Sequence, residues 1–300
     1  MQEKPSFNYW LQYLLVRSLA LLVTLLPVEV SHRIACGFGT LTYWILSKRR
    51  KIALENIAKA LGDSLPEQRK KEIAHSAFQN AALSMMELFT VEKIKKETAK
   101  RFKLIGNEYL EEAFLKDHGV VLAISHLGSW EYLSFLPHFT KRRWSVVVKN
   151  IKNPYLDKAI DSMRRVMTVN PISKDNSVRT IFQELKAGHG IAILVDQWAG
   201  NDGIWIDFFG TKTSTTSIPA RLAEKTGCAL LSAYCLRTAP GYYEIHIEKP
   251  IVHNLDQPGW ESTVTQDLNV ALERQILGHP EQWLWGHRRW KNKPANLRSA

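Results

Sequence analysis

Residues 120–131 read VVLAISHLGSWE, and the way they are read decides the fold. The first five form an uninterrupted apolar run that stops at a polar turn. Such a run predicts a strand buried on both faces, as in a parallel sheet. Residues 144–148, 191–195 and 229–236 have the same character, whereas 242–247 alternates and predicts an edge strand. Helical segments fit between them at 107–116, 129–137, 154–166, 177–187, 215–226 and 259–277. Strands separated by helices predict an α/β domain with a central, mixed and largely parallel sheet flanked by helices.

Upstream, Ser64-Leu65-Pro66-Glu67 has the form of a capping box with proline in the first turn, opening a long helix to about Glu92. Residues 9–28 read YWLQYLLVRSLALLVTLLPV. The uncharged part after Arg17 is shorter than the ~20 residues that cross a bilayer, and no small-residue cleavage site follows it. A second apolar run, 34–46, ends at Lys48-Arg49-Arg50-Lys51, and basic residues beside apolar helices favour anionic lipid on the cytoplasmic side. The segment therefore predicts a membrane anchor, either one tilted span or a shallow helical hairpin; two buried soluble helices would fit the same composition. The expected organisation is anchoring helices over 1–50, a helical connector over 51–100 and an α/β domain over 101–300.

The chain has 300 residues, with 40 Lys and Arg against 29 Asp and Glu, for a net charge of +11. Hydrophobic residues make up 45%, which excludes a disordered chain. A mean hydropathy of −0.21 excludes a polytopic transporter. Three cysteines cannot frame a chain of this length by disulfides, so a reducing compartment is expected. The basic excess favours nucleic acid, anionic membrane or an acidic carrier protein as partner, without choosing among them. Ten tryptophans and nine tyrosines suit a membrane interface and suit a core equally.

The chemistry gathers after the first strand. Ligands of such sheets bind at the carboxyl ends of strands, where Ser125-His126-Leu127-Gly128-Ser129-Trp130-Glu131 lies. On one continuous helix His126 and Glu131 would point about 140° apart. They meet if His126 sits in the turn and Glu131 in the first turn of the following helix, with Gly128 allowing the bend and Ser129 capping. A carboxylate on one imidazole N–H then fixes the tautomer and leaves the other nitrogen as a base. A histidine that merely packs in a turn, with a solvent-facing glutamate, has the same spacing. Asp196 closes the run 191–195, where polar groups serve a site or cap a turn. Arg164 follows the helix opener Asn153-Pro154-Tyr155-Leu156-Asp157 and would otherwise belong to a solvated face.

In sequence order these segments are followed by Phe208-Phe209-Gly210, Thr215-Thr216 and Trp285-Gly286-His287-Arg288-Arg289-Trp290-Lys291. Together they resemble the late acyltransferases of lipid A biosynthesis, the lauroyl and myristoyl transferases. These lie within a wider group of glycerolipid acyltransferases that share a His-x4-Asp/Glu dyad. The resemblance runs from the anchor to Pro294. It implies a glycerol-3-phosphate acyltransferase-like fold, an acyl-carrier-protein thioester as donor, and no metal or other cofactor. It implies a glycolipid acceptor at the bacterial inner (cytoplasmic) membrane, with the catalytic domain facing the cytoplasm. His126 and Glu131 become the catalytic pair, and Arg164 and Asp196 further site members. Arg164 would hold a phosphate or the oxyanion, and Asp196 would hold Arg164 or a polar group of the acceptor. The amides of Gly128, Ser129 and Trp130 become oxyanion donors. Phe208 and Phe209 are candidate acyl-channel residues, and Arg288 and Arg289 candidate phosphate contacts beside His287. Relatives that acylate phosphatidylinositol mannosides leave the acceptor open.

Other classes find less support. A peripheral protein that binds anionic lipid would need no juxtaposed His126 and Glu131. No nucleic-acid signature, G-x-S-x-G elbow or glycine-rich phosphate loop occurs, and the spacing of Cys228 and Cys235 does not suit a metal.

Overall fold

Four helices precede the first strand in a computed structural model that describes residues 6–62, 65–116, 118–174, 177–252 and 257–291. They are α1 (Phe7–Leu25), α2 (Val28–Ile45), α3 (Ser47–Leu61) and α4 (Glu67–Lys95). The predicted capping serine, Ser64, lies outside the described residues, and Pro66 stands at the N-cap of α4. The chain continues through α5 (Thr98–Arg101), β1 (Phe102–Ile105), α6 (Asn107–Phe114) and β2 (Val120–Gly128). A 3-10 helix, Trp130–Phe135, leads into α7 (Leu136–Thr140). Next come β3 (Trp144–Val148), α8 (Pro154–Val166), β4 (Asn170–Ser173), α9 (Ser177–Lys186) and β5 (Gly190–Leu194). The last elements are β6 (Ile204–Phe208), β7 (Thr211–Thr215), α10 (Ile218–Thr226), β8 (Ala229–Ala239), β9 (Tyr242–Ile247) and α11 (Trp260–Gly278).

Seven strands form one sheet in the order β1-β9-β8-β2-β5-β3-β4. Every pair is parallel except β8 with β9. The run 120–124 is apolar throughout because both faces are covered. Val121 and Ala123 enter a core built with α3, α4, α9, α10 and α11, while Val120, Leu122 and Ile124 enter a second core with α6 and the 3-10 helix. Covering both faces makes every position of a strand apolar and erases the period of two.

Three expectations need correction. Residues 242–247 are internal, because β1 pairs with β9 in parallel; the alternation arises because Tyr243, Ile245 and Ile247 are buried while Glu244 and His246 face a half-open side. The helix expected from Thr215 starts at Ile218, and Thr211–Thr215 pairs with β6 in a separate hairpin. Among the described residues no helix is long and apolar enough to cross a membrane, so no tilted span is found at the N-terminus. Instead the helical path breaks at Leu26 and Pro27, and α1 and α2 each pack on α4. The crossing is close enough that a Cβ on Gly39 would overlap the Gln79 backbone. The outward side of both helices is apolar, with Leu11, Leu15, Leu19, Leu22, Phe38 and Trp44 exposed.

Candidate active site

The carboxyl end of β2 is bent away from its neighbour. Its register against β8 shifts between Ile124 and Gly128. Gly128 has φ +62°, and a Cβ there would overlap the Cys235 carbonyl oxygen, so only glycine fits. The Ser129 amide donates to that same oxygen at 2.7 Å. These constraints end the strand just after His126 and start the 3-10 helix that carries Glu131.

Asp196, two residues beyond β5, receives the imidazole. His126 Nδ1 lies 2.9 Å from Asp196 Oδ1, and the His126 amide donates to Asp196 Oδ2 at 2.9 Å. The Trp283 indole N–H donates to Oδ2 at 2.9 Å. Asp196 is 2% exposed. Because a carboxylate only accepts, Nδ1 carries the proton and Nε2 holds the lone pair. The Gln197 side-chain nitrogen lies 3.4 Å from that Nε2. Burial opposes the imidazolium, but the Asp196 charge, its hydrogen bond and the Glu131 charge outweigh it, so the His126 pKa is raised. Burial opposes the aspartate too, yet the attraction of His126 and the donated hydrogen bonds pull Asp196 down to about 2.

The spacing predicts Glu131 as the partner of His126; in the structure Asp196 takes the Nδ1 position. Glu131 is held by Arg164 of α8, whose Nε and Nη2 donate to its two oxygens at 3.1 and 2.8 Å. Arg164 Nη1 also donates to Asp161 at 3.1 Å. A planar guanidinium meeting a carboxylate with two N–H groups makes a stronger contact than one imidazole can offer. Arg164 is likewise not a partner of Asp196. Glu131 still acts on His126 through space.

His126, Trp130, Glu131, Lys149 and Arg164 line a cavity of about 250 Å³. Its remaining wall is mostly apolar, with Val146 from β3, Ala192 and Leu194 from β5, Leu133 and Leu136 from the 3-10 helix and α7, and Val169 from just before β4. The Trp130 ring meets the imidazole edge-on at 5.1 Å between centroids.

The other candidates have different surroundings. The Ser129 amide is spent on Cys235 and its hydroxyl on Glu87, and the Gly128 carbonyl accepts from Ser84 at 2.8 Å. The Ser129 amide therefore is not free for an oxyanion. Phe208 is fully buried against Trp283 and Trp290 and lies outside the wall of this cavity, as does Phe209, whose amide donates to Glu273. Arg289 is fully buried too. It donates to the Gln197 and Ser214 carbonyls and to Thr215 Oγ1, with its guanidinium 4.9 Å from the Phe208 centroid, and burial lowers its pKa to about 10. It ties loops together rather than facing a phosphate. Arg288 is exposed. His287 accepts from the Trp198 amide at 3.3 Å, and burial brings its pKa to about 4.

Two supports carried no recognisable motif. Leu284 N donates to the His126 carbonyl at 3.1 Å, so the segment around Trp283 braces both His126 and Asp196. Behind Gly128–Ser129, the Arg237 side chain donates to Glu87 at 2.7 Å, Asn80 at 2.6 Å and Ser129 Oγ at 3.0 Å. Asn80, Ser84 and Glu87 stand at i, i+4 and i+7 on α4 and continue its apolar stripe. That polar interruption of a buried face was the available signal. Among the described residues no group of three His, Cys, Asp or Glu side chains could hold a metal ion.

Residues 2–292 match the family described as bacterial lipid A biosynthesis acyltransferase. The chain is 23% identical to a lipid A biosynthesis lauroyltransferase of Escherichia coli (strain K12), covering 100% of this chain and 99% of that protein. It is 24% identical to a palmitoleoyltransferase of lipid A biosynthesis from the same organism, over 96% and 93% of the two chains. A phosphatidylinositol mannoside acyltransferase of Mycobacterium tuberculosis (strain ATCC 25618 / H37Rv) is 24% identical over 65% and 63%.

Proposed function

As the chain belongs to the bacterial lipid A biosynthesis acyltransferase family and is an acyltransferase, we propose that it moves a fatty acyl chain from an acyl-carrier-protein thioester to a hydroxyl of a lipid A precursor, with His126 as general base. The observation that carries this reading is the His126 Nε2 lone pair, its tautomer held by Asp196, at the wall of an apolar cavity. Nε2 takes the proton of the acceptor hydroxyl as its oxygen attacks the thioester carbonyl. Asp196 and Glu131 stabilise the resulting imidazolium. The tetrahedral intermediate then collapses: the new C–O ester bond remains, the C–S bond breaks, and the departing thiolate takes the proton from Nε2. Arg164 uses three of its five N–H donors on Glu131 and Asp161, and its remaining two serve the oxyanion or an acceptor phosphate.

The exposed apolar side of α1 and α2 lies in the plane of the inner membrane, and Lys48 and Arg49 face its anionic headgroups. The catalytic domain then stands on the cytoplasmic side, where the carrier protein delivers its cargo.

The test is an assay of purified enzyme with acyl-carrier-protein thioesters and a lipid A precursor, read by mass spectrometry. His126→Ala should abolish transfer while the protein still folds and binds vesicles; near-normal turnover would end the proposal. Because the mycobacterial relative is a phosphatidylinositol mannoside acyltransferase, that glycolipid is the second acceptor. Transfer to it alone would move the acceptor and keep the chemistry.

A further inference from the structure

The cavity under His126 has a floor. Along β5, residues 190, 192 and 194 present one face to it, and Asp196 stands beyond them. Ala192 and Leu194 line the cavity. Gly190 is covered by the indole of Trp144, which lies so close that a Cβ on Gly190 would overlap the ring. The indole is fixed from three sides: Trp144 pairs in register with Gly190, its Nε1 donates to Thr140 Oγ1 at 2.9 Å, and Phe114 meets it edge-on at 5.6 Å. The charged lining gathers at the other end, since Asp196 binds His126, Glu131 acts on His126, and Arg164 binds Glu131. Between floor and imidazole, Ala192 is paired with Leu122 and Val146. Its lone methyl leaves open a space that a larger side chain would fill.

This layout measures a chain. Gly190 to Asp196 is six residues, or roughly 20 Å at strand rise. Contact distances of about 3.5–4 Å at the indole and at the imidazole leave roughly 12–13 Å. An extended alkyl chain advances about 1.25 Å per carbon–carbon bond of ordinary length, so about ten bonds fit. With the carbonyl carbon at His126, the space takes a saturated acyl group of ten to twelve carbons.

We propose that Trp144 sets the length of the transferred chain at ten to twelve carbons and that Ala192 keeps the path to it open. This rests on reading the cavity as the acyl site of the proposed transferase. The experiment is a length profile: purified wild type, Trp144→Leu and Ala192→Leu, each offered acyl-carrier-protein thioesters of 8, 10, 12, 14 and 16 carbons. Wild type should peak at ten to twelve and fall at least tenfold by sixteen. Trp144→Leu should move the peak up by two to four carbons, and Ala192→Leu should move it down to eight. A wild-type peak at sixteen, or an Ala192→Leu profile that superposes on wild type, overturns the assignment. Trp144→Leu removes buried volume and can fail to fold, in which case the wild-type and Ala192→Leu profiles decide. Absence of transfer from every thioester by the wild type would instead overturn the acyltransfer reading beneath it.

Discussion

Replacing Asp196 by asparagine keeps the side chain's shape and removes its charge, and the surrounding donors dictate how the amide must sit. Oδ2 accepts from the His126 amide and the Trp283 indole, two N–H groups that cannot become acceptors. The single oxygen of asparagine must therefore take that position, and its NH2 must face His126 Nδ1. Nδ1 then has to accept, so the ring proton moves to Nε2 and the base nitrogen is blocked. All three hydrogen bonds survive, so the variant should fold, and its melting temperature at neutral pH should fall only by what the charge of the depressed carboxylate contributed. A wrong tautomer of this kind costs about 10⁴-fold in rate, or about 5.4 kcal/mol of barrier. The assay is kcat across pH 5–9 alongside thermal melting. In the wild type the rate should rise with pH through a midpoint above the ordinary imidazole value of about 6.5, because only the neutral ring is a base and Asp196 holds on to its proton. In Asp196→Asn the residual rate should have its midpoint displaced to lower pH, since the attraction is gone. A variant that folds and turns over within tenfold of wild type would refute the assignment of Asp196 as the residue that orients His126.

Glu131→Gln should lower the rate about 10²-fold by freeing Arg164 and weakening the support of the imidazolium, and a change under threefold would leave Glu131 a structural partner of Arg164 only. Glu87→Gln and Arg237→Met each break a buried ion pair whose side chains are 8% and 6% exposed, which costs about 3–5 kcal/mol; differential scanning calorimetry should show a fall of about ten degrees. Leu15→Glu with Phe38→Glu alters exposed positions only, so the protein should fold and melt normally yet no longer sediment with anionic vesicles; full sedimentation would move the membrane contact elsewhere. Asp196, held at about 2, stabilises the fold above the ordinary carboxylate value of about 3.9; this contribution should fade as the pH falls from there towards 2, and Asp196→Asn should lack that step in its melting curve.

The α/β class is legible in the residues alone, because a run such as 120–124 has no polar position and therefore needs cover on both faces. The residues also locate His126 at a strand's end and identify the chain's relatives through the order of short motifs. β1 and β4 were too short to read, and the hairpin of β6 and β7 has no periodicity that separates it from a loop. Tertiary structure alone decided which carboxylate belongs to His126. Glu131 is five residues away and Asp196 is seventy, yet the parallel pairing of β2 with β5 places Asp196 on the imidazole, while α8 brings a two-pronged guanidinium to Glu131. Spacing along the chain reports only what a residue's own backbone can reach. The choice between two partners belongs to strand register and to competition among donors, and both arise only when distant segments pack.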